Sequence, residues 1–351
     1  MHKINFMDLS QETLVSLLKV YSKNSLTVDG LWFLNVEEKF GMDTAIEIDK
    51  MIWGRYGVTE ALRLKKILKL PDNGGIPALV KALNFQIWVP GMEYDFSEIT
   101  DEKAIFNITD CSVQRARIKA CRPEFHCKPV GQVLFESFAR TIDEKIDMRC
   151  LMCPPDDHPD DVWCSWEFTY KGKTNGKYEK IGKIDYSDIP KATLVELIKI
   201  YSKNVITIDG LWFINLEERY GIDLAIDLDT KVWERYGITE VRRLKKLLNI
   251  TDGGIENLIK ALNFQIWVPD MDFEFQDISD KKVVFNITDC TPQKLRLRDN
   301  RGEFECKPVG VALFNKFAEE IDPKIKMRCK FCPPDKHPDD IWCIWEFSLE
   351  D

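Results

Sequence analysis

The sequence predicts an α+β protein made of two tandem homologous domains, and three observations carry that reading. The first is a long internal repeat. Tyr21-Ser-Lys-Asn24 returns as Tyr201-Ser-Lys-Asn204, Asp29-Gly-Leu-Trp-Phe33 as Asp209-Gly-Leu-Trp-Phe213, and the segment Ala82 to Pro90 as Ala261 to Pro269. More than half of the aligned positions are identical. The second is a change of hydrophobic period after Pro90, from helical to alternating. The third is a cysteine-rich hairpin that closes each copy. Together they predict repeat 1 at residues 1–170, a linker at 171–185 and repeat 2 at 186–351, each a helical lead-in followed by a small antiparallel sheet with helices.

In the first copy, residues 10–24 place Leu14, Leu17, Leu18 and Tyr21 at helical spacing, with Ser10 as N-cap. Asp29 is expected to cap a second helix carrying Trp32, Val36 and Phe40, which stops at Gly41. A third helix is expected from Thr44 to Tyr56, ending at Gly57. A fourth runs from Thr59 to Leu70 and is ended by Pro71. A fifth follows Gly74-Gly75, a turn that lacks the Lys-Ser/Thr of a phosphate loop. Residues 92–99 and 103–109 alternate as strands do. Ser112 to Ala120 reads as a short helix. Pro129 to Ile142 reads as a longer one, with Val130, Val133, Leu134, Phe138 and Ala139 on one face. Ile146 to Leu151 and Val162 to Tyr170 are the strands of the hairpin. Between the copies, Lys171 to Lys183 is rich in glycine and lysine, as a flexible basic linker is.

The chain has 351 residues, 44% of them hydrophobic and 30% charged, with a net charge of −9. That balance argues against a general nucleic-acid or anionic-membrane binder, which needs a basic surface. No apolar run approaches membrane-spanning length, and the N-terminus lacks the apolar core of a signal peptide. A cytoplasmic location is therefore expected. The eleven cysteines then read as reduced thiols or metal ligands rather than disulfides, and the sequons at Asn107 and Asn286 are not expected to carry glycans.

The hairpin carries the chemistry. Its first copy reads Arg149-Cys150-Leu-Met-Cys153-Pro-Pro-Asp156-Asp157-His158, then Trp163-Cys164-Ser-Trp166. Two cysteines two apart present both sulfurs to one ion from a tight turn, and the prolines force the chain to reverse. Zinc needs a fourth ligand. Cys127, at the start of a helix whose dipole favours a thiolate, is the preferred one. The expected metal ligands are therefore Cys127, Cys150, Cys153 and Cys164, with Cys306, Cys329, Cys332 and Cys343 in the second copy. Cys111, Cys290, His158 and His337 are the alternatives. Cys121 and His126 become Asn300 and Glu305 and belong to no shared site. Zinc is the expected ion, because the spacing is not that of a ferredoxin; an iron–sulfur cluster is the alternative.

Other polar pairs recur. Gln114 and Arg117, and Gln293 and Arg296, lie three apart on a helix and suit a substrate anchor, the arginine gripping a carboxylate. A plain salt bridge is the competing reading. Glu124 and Glu303 lie three residues before Cys127 and Cys306 and suit a general base or a ligand. Asp156, Asp160 and Asp161 read as a solvated loop.

The second half of each copy resembles a superfamily that includes the L-2-amino-thiazoline-4-carboxylic acid hydrolase-like proteins and the 4-vinyl reductase-type sensor domains. The resemblance rests on the strand ending in Cys111, the run Glu124-Phe-His-Cys127 with Gly131, and the strand from Cys164, with Cys290, Glu303, Cys306, Gly310 and Cys343 in the second copy. It implies a zinc ion held by Glu124, Cys127 and Cys111 beside a ligand pocket. The C-x2-C-Pro-Pro knuckle lies outside it. The expected function is a metal-binding protein for a small anionic molecule, with C–N bond hydrolysis as its chemistry. The alternatives are a non-catalytic sensor or carrier with structural zinc, and an iron–sulfur or corrinoid-associated accessory protein. The two copies are expected to pack on each other as a pseudo-dimer.

Overall fold

The computed structural model describes residues 3–172 and 182–350. Residues 173–181, the middle of the expected linker, lie outside them. Repeat 1 runs α1 (Gln11–Phe40), α2 (Met42–Leu68), α3 (Gly75–Leu83), β1 (Glu93–Ser97), β2 (Lys103–Asp110), α4 (Ser112–Lys119), α5 (Lys128–Ile142), β3 (Ile146–Met152) and β4 (Cys164–Tyr170). Repeat 2 follows with α6 (Lys191–Tyr220), α7 (Ile222–Leu247), α8 (Ile255–Leu262), β5 (Asp272–Gln276), β6 (Lys282–Asp289), α9 (Thr291–Arg298), α10 (Lys307–Ile321), β7 (Ile325–Phe331) and β8 (Cys343–Leu349). The protein is α+β, with the same organisation twice.

The strands match the sequence expectation closely. Each sheet is antiparallel, in the order β1-β2-β4-β3 and β5-β6-β8-β7. The C-terminal hairpin of each repeat thus lays one strand at the sheet's centre. Alternation does the sorting: Ala104, Phe106 and Ile108 of β2, and Trp166, Phe168 and Tyr170 of β4, are buried. α5 covers that face. Phe135 meets Trp166 at 4.8 Å between ring centroids and Phe106 and Phe168 at 6.0 Å. Gly131 lets the helix sit this low, since a Cβ there would lie 2.7 Å from Trp166.

The helical lead-in differs from expectation. Four short helices were anticipated where the fold has two long ones. Ser10 does cap α1, its Oγ accepting from the Thr13 amide at 3.1 Å. Asp29, expected as a cap, sits inside α1 instead, and its carboxylate accepts from Trp212 Nε1 at 2.8 Å. Gly57, expected as a stop, lies inside α2. A Cβ there would meet Ser137 Oγ at 2.4 Å and the Leu134 carbonyl at 2.9 Å, so the glycine admits α5 and does not end the helix. The true break is Gly41, whose φ of +86° suits glycine.

The compact units and the sequence repeats divide the chain differently. One unit holds residues 1–35 with 201–351, the other residues 36–200. In the first, the lead-in of repeat 1 packs onto the lead-in helices of repeat 2. Trp32 and Trp212 stack with centroids 6.3 Å apart and planes within 4°. Trp32 Nε1 donates to Asp209 at 2.7 Å. Tyr21 donates to the carbonyls of Phe264 and Gln265, and Asn24 to Glu240. In the second unit the lead-in of repeat 2 does the same for repeat 1. The Ile184 amide donates to Asn84 at 3.2 Å, the Tyr186 hydroxyl donates to the Asn84 carbonyl, and Tyr186 packs edge-on against Phe85. Elements of the two repeats therefore pack on one another inside each unit. Among the described residues, no helix is long and apolar enough to cross a membrane.

Two outcomes follow. Trp32→Ala should cost about 3–5 kcal/mol in chemical denaturation, and hydrogen exchange should rise first in residues 201–350, not within α2 or β2. Gly310→Ala, whose Cβ would lie 2.6 Å from Trp345, should cost about 1–3 kcal/mol, read from the same denaturation midpoint.

Candidate metal centre and the adjoining cavity

Three elements bring the four expected cysteines of repeat 1 together. Cys127 caps the start of α5, Cys150 lies in β3, Cys153 opens the turn, and Cys164 begins β4. The register shift between Cys150 and Met152 bends the strand into that turn. A clamp then pins the turn to the helix. The Lys128 amide donates to the Pro154 carbonyl at 3.0 Å, and Lys128 Nζ binds Asp156 at 2.7 and 2.9 Å. Asp156 Oδ2 in turn accepts from the Cys153 amide at 3.3 Å. Repeat 2 reproduces it with Lys307, Pro333, Asp335 and Cys332. Asp156, expected as a solvated loop residue, is thus the fastening of the knuckle.

The clamp leaves Cys127 Sγ 3.4 Å from Cys153 Sγ, and Cys306 Sγ 3.5 Å from Cys332 Sγ. Cys150 and Cys164 also interact with Cys153. In repeat 2 Cys343 contacts Cys332, while Cys329 acts on it electrostatically. A tetrahedron with zinc–sulfur bonds of about 2.3 Å has sulfur–sulfur edges of about 3.8 Å, a little longer than these two contacts. As they stand, no group of three or more His, Cys, Asp or Glu among the described residues is drawn into ready coordination geometry. Crowding pushes the Cys153 thiol up, first through Cys127, then Cys150 and Cys164. Four such thiols ionise together only around a cation.

The alternative ligands border the same network: Cys111 interacts electrostatically with Cys127 and Cys164, and Cys290 with Cys306. His158 Nδ1 contacts the Pro159 carbonyl at 3.0 Å, its Nε2 lies 3.5 Å from Glu124, and the ring packs on Trp163. His337 pairs with Glu303 in the same way. The two candidate general bases therefore face a histidine of the loop. Burial pushes the thiols of Cys111 and Cys290 up to about 12. Gln114 holds both backbone groups of Phe125 at 2.8 Å and donates to Cys127 Sγ at 3.5 Å, and Gln293 does likewise for Phe304 and Cys306. This glutamine positions the helix-start cysteine, a role the sequence's i, i+3 pair left open. Arg117 is committed to Glu37 in a two-pronged pair at 3.0 Å, and Arg296 to Glu217 at 3.0 and 2.9 Å. Both arginines are buried, so they are structural ion pairs in this geometry.

Beside the second cluster lies an apolar cavity of about 140 Å³. Cys290, Cys306, Cys332 and Cys343 line it together with Trp233, Trp267, Phe304, Phe314 and Trp345. Asp209 and Asp229 reach it from α6 and α7. Burial pushes Asp209 up to about 6 and Asp229 well above the ordinary carboxyl range, the latter also through Asp209. Asp209 accepts from Trp32 and, at 3.2 Å, from Trp233. Asp229 Oδ1 has no hydrogen-bond partner.

One comparison bears on this arrangement. Residues 7–170 and 187–349 each match the model of DUF6125, a family of unknown function. The chain belongs to that family. The two matched stretches each contain one complete cysteine set with its clamp, so the DUF6125 repeat and the candidate centre coincide. No curated protein and no solved structure matches the chain.

The sequence reading missed the buried acids: Asp49 and Asp229, and the pair Glu60 and Glu240. In a helix they look like solvent-face residues; the signal available was their recurrence at equal positions within otherwise apolar faces. Glu240 ties α7 to the turn after α8, accepting from Tyr236 at 2.7 Å and from the Ile266 amide at 2.8 Å, and Glu60 accepts likewise from Tyr56 and the Ile87 amide. Burial pushes both carboxyls up to about 7. An unfolded glutamate titrates near about 4.3, so between that pH and about 7 the folded chain holds protons that the unfolded chain has lost. Stability therefore falls as pH rises through this window, by about 3 kcal/mol per glutamate. The difference in unfolding free energy between wild type and Glu240→Gln, measured at about pH 5 and about pH 8, should change by roughly that amount in the variant's favour.

Proposed function

We propose that the chain is a tandem small-molecule-binding protein in which each repeat carries one structural zinc site against a ligand cavity. The observation that carries this reading is the convergence of Cys127, Cys150 and Cys164 on Cys153, repeated around Cys332 on the wall of an apolar cavity. Zinc would be held by Cys127, Cys150, Cys153 and Cys164, and by Cys306, Cys329, Cys332 and Cys343. Bound there, it supplies a rigid cross-link between the start of α5 or α10 and the hairpin. Gln114 and Gln293 orient the helix-start sulfur from outside, as groups behind metal ligands do. Four thiolates complete a tetrahedron and leave no position for a water, so the sensor or carrier reading is favoured over C–N hydrolysis. The pairing of Glu124 with His158 supports the same choice, since neither carboxylate of the Glu124 and Glu303 pair stands free as a base.

The metal count tests it. Protein purified without oxygen should be colourless and hold about two zinc ions per chain. Cys153→Ser should leave about one and destabilise the first sheet-bearing half, whereas Cys121→Ser should leave two and unfold like wild type. Iron in place of zinc, no metal, or two ions retained when Cys153 and Cys332 are both replaced would refute the structural-zinc reading.

A further inference from the structure

The cavity beside the second cysteine cluster is lined almost wholly by apolar and aromatic groups, yet two polar atoms in its wall are unsatisfied. Asp229 is 1% exposed and its Oδ1 has no partner; Trp267 is 5% exposed and its Nε1 has none. Repeat 1 keeps the indole feature, for Trp88 Nε1 is likewise buried without a partner. A buried polar group without a partner costs free energy, about 1–3 kcal/mol each, and its recurrence in both repeats marks it as a feature of the design. Asp209 stands against Asp229, but its Oδ1 already accepts from the indoles of both Trp32 and Trp233.

Among the described residues, no lysine or arginine lines this cavity. Arg296 and Arg301 line a smaller cavity of about 90 Å³ that shares Asp209 and Asp229. Their guanidinium groups are turned to Glu217 and Glu218. Two carboxyl groups thus face an aromatic chamber with no protein cation to meet them. An ammonium group satisfies that arrangement twice over, by pairing with the carboxylate and by lying against the faces of Trp233, Trp267 and Phe314. An anion meets the opposite conditions. The volume sets the body: a cavity of about 150 Å³ holds one benzene ring.

Resting on the ligand-cavity reading above, we propose that the second repeat's cavity takes a small hydrophobic amine, its ammonium on Asp229 and its ring among Trp233, Trp267, Phe314 and Trp345. This reverses the anionic ligand expected from the sequence, because the arginine assigned to hold a carboxylate is committed to Glu217.

Calorimetric titration of the full-length, zinc-loaded chain with three probes sharing one ring decides it: phenethylamine, 2-phenylethanol and 3-phenylpropanoate. Phenethylamine should bind at least about tenfold more tightly than the alcohol, the value of about 1.4 kcal/mol, and the carboxylate should not bind. Asp229→Asn, made together with Asp49→Asn so that the first repeat's counterpart does not mask the loss, should bring the amine down to the alcohol's affinity. Alcohol affinity should stay as in wild type, which reports that the cavity is still formed. Equal or tighter binding of the alcohol, a preference for the carboxylate, or an amine preference that survives both substitutions would overturn the assignment. So would no binding by any of the three; if the zinc content is then still two, the amine assignment falls while the metal reading stands.

Discussion

The sheet-bearing half of each repeat depends on one short contact, that of Cys127 with Cys153 and of Cys306 with Cys332. It joins a helix start to the proline turn that ends a strand, the same pieces that the lysine clamp fastens. The lysine clamp makes the contact possible without a metal, since a backbone amide and an ammonium from the same residue both reach the turn. Its ion pair is partly exposed, and such pairs contribute little by themselves. The clamp therefore serves to position the turn, and it leaves the Cys127 and Cys153 sulfurs 3.4 Å apart.

The lead-in helices show a second constraint. A single repeat cannot close its own core, because the aromatic faces of α1 and α6 find their partners in the other repeat. Trp32 stacked on Trp212 and Tyr21 on the turn after α8 are contacts between copies, made within one compact unit. Each copy keeps the same apolar stripe, and equal surfaces pair well with one another. A tandem duplication is the covalent form of that pairing. Separation of the copies would expose Trp32 and Trp212 and leave Glu240 without the side-chain amide of Asn24.

Buried acids mark the boundary between scaffold and site. Glu60 and Glu240 cost burial energy, yet each satisfies a backbone amide and a tyrosine hydroxyl that the turn would otherwise orphan. They belong to the architecture. Asp229 is buried as deeply; its carboxyl meets Trp233, and its Oδ1 has no hydrogen-bond partner.

The sequence alone determined the α+β class, the two copies and the strand pairing of the hairpin. These are local or repeated signals: alternation, proline punctuation and spacing survive without knowledge of partners. The tertiary structure decided everything that rests on what a side chain meets. Gly57 reads as a helix stop until Ser137 and Leu134 are placed beside it. Arg117 reads as a substrate anchor until Glu37 occupies it, and Asp156 as a solvated acid until Lys128 reaches it. Asp29 reads as a cap until the indole of the other copy donates to it. The physical reason is common to all four. A residue's charge and shape are written in the chain, but its partner lies far away in sequence, and only packing fixes which partner that is.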